Sequence, residues 1–141
     1  MKILLDTNVI LDSLASREPY NSQADDIIEL VAKKRIEGYL NISSVTDIYY
    51  ILRKVLGSVA SKNEIRNILR VLQVIEITKS DCLIALDSSI TDFEDALIVV
   101  SADKVGMDYI VTRDEELLRH PNAISPAEFL GKLMAEDYET D

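Results

Sequence analysis

Lys2-Ile3-Leu4-Leu5-Asp6-Thr7-Asn8-Val9-Ile10-Leu11 sets two apolar runs on either side of three polar residues. Lys2–Leu5 reads as a short buried strand and Val9–Leu14 as an apolar helix, so Asp6-Thr7-Asn8 marks a strand-to-helix turn. A carboxylate between a buried strand and an apolar helix is costly unless something positive or donating meets it. Asp6 is therefore the first candidate functional residue.

Working outward, the same alternation recurs. Pro19 breaks the pattern, and Asn21 or Ser22 caps a helix carrying Ile27, Ile28, Leu30 and Val31, with Gly38 as its stop. Tyr39–Ile42 is a second strand, and Ser43 or Ser44 caps a helix that runs to Leu56 and stops at Gly57. Ser61-x-x-Glu64 is read as a capping box opening a helix to Leu72. Val74–Ile77 is a third strand, followed by a short helix over Cys82–Leu86. Thr91-x-x-Glu94 is read as a second capping box, opening a helix over Phe93–Val105 that Gly106 ends. Tyr109–Val111 is a fourth strand, and a short helix starts at Asp114. Ala123-Ile124 adds a fifth strand, and Ser125-Pro126 starts the last helix. Strands alternating with helices predict an α/β fold with a parallel sheet and right-handed crossovers.

The 141 residues suit one domain, placed at residues 1–134, with an acidic, disordered tail over residues 135–141. A single cysteine, Cys82, excludes an intramolecular disulfide. No apolar run approaches the ~20 residues of a membrane helix. The first six residues turn acidic too early for a signal peptide. A soluble, cytoplasmic protein is expected. The net charge of −10, from 15 Lys+Arg against 25 Asp+Glu, argues against gripping phosphate backbones by bulk charge. Part of that charge sits in the tail, at Glu136, Asp137, Glu139 and Asp141.

In a parallel α/β sheet, ligands bind beyond the carboxyl ends of the strands, where strand order reverses. Asp6 and Asp114 directly follow strands, and Asp47 falls in the first turn of the helix after the second strand. Asp92, Glu94 and Asp95 open the long helix, and they join that edge if the helix begins there. Each acid also has a plainer role, since Asp and Glu at helix starts cap the helix and favour its dipole. Converging carboxylates raise one another's pKa or demand a cation. His120, beside Pro121, reads as a surface loop residue. With one His and one Cys in the chain, a zinc site built on those ligands is excluded. All-oxygen ligands select Mg²⁺ or Mn²⁺, which suits phosphodiester hydrolysis.

Four motifs then stand in order: Asp6-Thr7-Asn8, Ser43-Ser44-Val45-Thr46-Asp47, Asp95-Ala96-Leu97-Ile98 with Ala102, and Val111-Thr112-Arg113-Asp114. From Met1 to about Leu130 the chain resembles the PIN-domain nucleases. That resemblance implies a three-layer α/β/α sandwich and a Mg²⁺- or Mn²⁺-dependent endoribonuclease. It makes Asp6, Asp47, Asp95 and Asp114 the catalytic acids, with Asp6, Asp95 and Asp114 as metal ligands and Asp92 in reserve. Asn8 and Thr112 would support them. Many small members are toxins of toxin–antitoxin pairs, homodimeric and silenced by a bound antitoxin. The family's second acid is usually Glu, and Asp47 is one methylene shorter, so its carboxylate would reach the metal through water. Which of Asp92, Glu94 and Asp95 faces the site stays open.

An aspartate-nucleophile phosphatase would want a second acid where Asn8 stands, and a phosphoacceptor receiver would want an acidic pair after the first strand. The competing class is a catalytically degenerate PIN-like domain that binds RNA or a protein. For RNA contact the candidates are Lys62, Arg66 and Arg70, at four-residue spacing on one helix face, and Arg113, with Arg53 and Lys54 also near acids. The alternative for the stripe is a solvated face. Tyr49 and Tyr50 suit either base stacking or core and dimer contacts.

Overall fold

The computed structural model describes residues 1–140, with side chains through residue 137. The chain runs β1 (Lys2–Leu5), α1 (Thr7–Leu14), α2 (Asn21–Ala32), β2 (Glu37–Asn41), α3 (Ile42–Leu56), α4 (Ser58–Val71) and β3 (Gln73–Ile75). It continues with α5 (Lys79–Asp87), α6 (Phe93–Val105), β4 (Tyr109–Val111), a 3-10 turn (Leu117–Arg119), β5 (Ala123–Ile124) and α7 (Pro126–Thr140). The strands form one parallel sheet in the order β3-β2-β1-β4-β5.

β1 lies at the centre, pairing Leu4 with Tyr39 on one side and with Ile110 on the other. Alternate residues of a strand point to opposite faces, and β1 divides accordingly between two cores. Ile3 and Leu5 pack with Val9, Ile10, Ile27, Leu40, Leu52 and Phe129, under α1–α4 and α7. Leu4 packs with Ile98, Ala102, Met107 and Ile110, under α6. The result is the expected three-layer α/β/α sandwich. Strand order reverses between β1 and β4, which places the crevice of a switch point at their carboxyl ends.

Several local expectations are corrected. Gly38 does not stop α2, which ends at Ala32; it sits within β2, where an added Cβ would meet Val31 and Leu72 side chains at 2.7–2.9 Å. That glycine is required by close helix-on-strand packing. Neither Asn21 nor Ser22 caps α2, which follows Tyr20 without a side-chain cap. Asn41, not Ser43 or Ser44, caps α3, so Asp47 falls in its second turn. Ser61 opens no helix: α4 starts directly after Gly57, and the Ser61 hydroxyl bonds back to the Gly57 carbonyl at 2.6 Å. Asp92, not Thr91, caps α6. A capping box at Thr78 and Asp81 opens α5 instead. Gly57 and Gly106 do end their helices, at φ 80 and φ 75. The backbone of α7 continues to Thr140, through most of the segment expected as a disordered tail, and residue 141 lies outside the described residues. Among the described residues, no helix is long and apolar enough to cross a membrane.

Candidate active site

Asp6 caps α1 with an extended backbone, and its own N–H still bonds to the Val111 carbonyl at 3.0 Å, continuing the sheet. One carboxylate oxygen accepts the Thr7 N–H and the other the Thr112 hydroxyl, both at 2.8 Å. The side chain is buried, with only 8% of the residue exposed. Burial pushes its pKa up, opposed by the bonds from Thr112 and Thr7, with repulsion from Asp114 and Asp92 adding to the rise.

Thr112 directly follows β4 and is wholly buried. Its hydroxyl donates to Asp6 while accepting the Asp114 N–H at 3.0 Å, so one oxygen locks the two acids' segments together. Asp114 in turn accepts the N–H groups of Glu116 and Leu117 at 2.8 and 3.2 Å, capping the 3-10 turn. The same residue lines the acid cavity.

The start of α6 supplies the facing wall. Asp92 caps the helix by accepting the Asp95 N–H at 3.0 Å. Asp95 is half-buried, and its pKa is pushed up to about 6, first by burial and then by repulsion from Asp114, Asp92, Asp6 and Glu116. Glu94 is also pushed up, by burial first and then by its contact with Asp47, with Asp92 and Asp6 contributing. Because Thr91 does not recruit Glu94 into a capping box, that carboxylate is free to meet Asp47. All three acids of the α6 start line one cavity of about 360 Å³, together with Asp6, Asn8, Asp47 and Asp114. The position expected to lack reach at Asp47 is thus joined by a longer acid, Glu94, beside it.

Polar residues not singled out as site residues hold these elements in place. Thr7 donates to the Ser44 hydroxyl at 2.8 Å, joining the starts of α1 and α3. Asn41 is fully buried; it accepts the Ser43 N–H and donates to the Ser101 hydroxyl, both at 2.8 Å. It thereby ties β2, α3 and α6 together behind the cavity. The signal was an Asn closing the apolar strand and a Ser within an apolar helix.

The basic candidates fare differently. Arg113 is engaged within the fold: it makes two bonds to Asp12, at 2.6 and 2.9 Å, and lies 3.7 Å over the Tyr20 ring. Asp12 is wholly buried, and a buried carboxylate demands such a partner. Ser44, Asp47 and Ile51 turn one side of α3 toward the acid cavity, whereas Val45 and Tyr49 line a groove with Lys62 and Arg66. The Lys62 and Arg66 pair therefore lies across α3 from the acids. Arg70 lies further off, beside Glu37, Gly38 and Gln73 at the amino ends of β2 and β3. Tyr50 is exposed, with Arg53 5.6 Å from its ring.

All-oxygen donors of this kind suit a hard divalent cation. Among the described residues, no three His, Cys, Asp or Glu side chains converge as a finished metal cage. The acids instead stand around a shared cavity and repel one another, which is the electrostatic condition a cation relieves.

Residues 2–116 match the family described as PIN domain. Ribonuclease VapC1 of Aquifex aeolicus (strain VF5) is 25% identical over 119 residues, covering 81% of this chain and 82% of that protein. A toxin-antitoxin complex from Klebsiella pneumoniae is similar at a TM-score of 0.68 and 16% identity, covering 88% of this chain and 97% of that one. VapBC2 from Rickettsia felis, solved bound to a DNA fragment from its promoter, gives 0.66 at 18% identity, covering 89% and 97%. VapC20 from Mycobacterium tuberculosis, described as a Sarcin-Ricin loop cleaving toxin, gives 0.65 at 17% identity, covering 82% and 92%. At such identities the likeness to these structures is one of fold. By the match over most of its length, the chain belongs to the PIN domain family.

Proposed function

We propose that this chain is a Mg²⁺- or Mn²⁺-dependent endoribonuclease, the toxin of a toxin–antitoxin pair. The carrying observation is that Asp6, Asp95 and Asp114 line one cavity at the switch point, where burial and repulsion from neighbouring acids raise the pKa of Asp6 and Asp95. The similarity to a protein named as a ribonuclease and to toxin–antitoxin complexes supports the reading. A cytoplasmic homodimer silenced by an antitoxin goes with it.

In this reading Asp6, Asp95 and Asp114 hold the ion, and Asp92 stands beside them. A bound divalent cation supplies Lewis acidity and an activated water for phosphodiester hydrolysis. Thr112 fixes the Asp6 carboxylate toward the cavity, and Asn8 lines its mouth. Asp47 and Glu94 line the cavity beside these acids, and burial together with the neighbouring Asp47 carboxylate pushes the Glu94 pKa up. That pair is suited to hold or pass a proton at the edge of the cluster.

The test is cleavage of a panel of structured and unstructured RNAs with Mn²⁺ or with EDTA. Metal-dependent cutting that is lost in Asp6→Asn is the expected result. RNA binding without cutting, unchanged by metal, would instead favour a degenerate binding domain.

A further inference from the structure

We infer that the groove bounded by Arg119 and His120, next to the acid cavity, carries the RNA backbone on one side of the cleaved phosphate; this rests on the ribonuclease reading above. The acid cavity contains no cationic side chain among its lining residues. An RNA strand crossing it needs cations at the flanking phosphates, because phosphate contacts position a strand before any chemistry. The α4 bases lie across α3, and Arg113 is committed to Asp12.

One concave surface does continue from the acids. Asp92 and Asp95 line both the acid cavity and a second groove of about 830 Å³, whose other polar walls are Ser89, Thr91, Glu116, Arg119 and His120, so that Arg119 is the cation there among three acids. That volume lies within the roughly 300–1,000 Å³ of small-ligand sites and so suits a short stretch of strand. Arg119 is exposed and belongs to none of the ion pairs among the described residues. Nδ1 of the half-buried His120 accepts the Asn122 N–H at 3.2 Å, which leaves Nε2 to carry the ring proton as a donor. Ser89 and Thr91 add hydroxyls suited to sugar and phosphate oxygens.

The backbone that carries Arg119 is also tied to Asp114. Arg119 ends the 3-10 turn whose first N–H groups are held by the Asp114 carboxylate. A strand gripped at Arg119 is therefore registered against Asp114. His120 is the one aromatic ring among the lining residues of the groove, so its contacts are chiefly to backbone and its grip is tolerant of sequence.

The experiment compares the wild type with Arg119→Ala/His120→Ala, Arg119→Lys and Lys62→Ala/Arg66→Ala. Binding of a fluorescent RNA is measured in EDTA at two salt concentrations, and cleavage kinetics in Mn²⁺. The double variant should raise Kd and KM by about tenfold while keeping kcat. Its salt slope should fall by about one unit, and Arg119→Lys should recover most of the affinity. An unchanged Mn²⁺-induced shift in melting temperature separates this from misfolding. Unchanged Kd and KM in a cleaving enzyme would overturn the groove alone. A loss confined to Lys62→Ala/Arg66→Ala would also overturn it, by moving the strand to α4. A wild type that neither binds nor cuts RNA would bring down the ribonuclease reading and the groove with it.

Discussion

Replacing Asp95 by Asn should stabilise the metal-free protein at neutral pH while abolishing activity. Burial and four neighbouring acids push the Asp95 pKa from 3.8 up to about 6. A shift of about two units corresponds to roughly 3 kcal/mol of preference for the protonated form. Asp95 is only half-buried, so solvent screening brings the realistic figure to about 1–2 kcal/mol. The sign follows from the folded pKa lying above the unfolded one. The folded state holds the proton more tightly, so stability falls as pH rises from about 4 through 6, and the cost persists above that. Asn carries no such cost. Thermal melts in EDTA should therefore show Asp95→Asn above wild type by about 3–7 °C at pH 7.5, with the gap closing toward pH 4. Adding Mn²⁺ should reverse the order, because the wild type gains by binding and the variant has lost a ligand. A variant no more stable than wild type at pH 7.5 in EDTA, or a gap that persists at pH 4, would refute the reasoning. Asp6 is a poorer position for this test, since Thr7 and Thr112 both donate to its carboxylate.

Thr112→Val should cost about 1–3 kcal/mol by leaving a buried Asp6 oxygen without its donor, and should depress RNA cleavage; Thr112→Ser should restore both in urea melts and cleavage assays. Arg113→Ala leaves the buried Asp12 with only Arg17, at 3.8 Å, and should cost about 3 kcal/mol in the same melts, while the added change Asp12→Asn should recover part of the loss. Gly38→Ala forces a Cβ against Val31 and Leu72 and should destabilise by about 1–3 kcal/mol, with cleavage well below the melting temperature kept.

What was legible in the sequence was what a single element carries. β1, α6 and β4 declared themselves through apolar runs ended by acids or glycine, and Asp6, Asp95 and Asp114 stand at those ends. Illegible features depended on neighbours far along the chain. Arg113 looked like a free cation beside an acid because its partner, Asp12, lies 101 positions away. The stripe of Lys62, Arg66 and Arg70 was a true helix face, but which way that face turns is set by packing against α3 and β2. Gly38 carries the same letter whether it ends a helix or admits one against a strand. The pairing of Glu94 with Asp47 was hidden because Ser/Thr-x-x-Glu spacing suggested that Glu94 was already occupied.

The central place of β1 also governs how the site comes apart. The Asp6 amide is bonded into the sheet through Val111, between strands on both sides, so its hydrogen should exchange with solvent only when the whole domain opens. The amides of Glu116 and Leu117 depend on one carboxylate at a short surface turn and should exchange through local opening. The three acids thus belong to parts of the molecule with unequal lifetimes. On warming, Asp114 and its turn should loosen first while Asp6 remains in place. Loss of cleavage should accordingly precede loss of the fold, with deuterium uptake rising at residues 114–119 before it rises in β1.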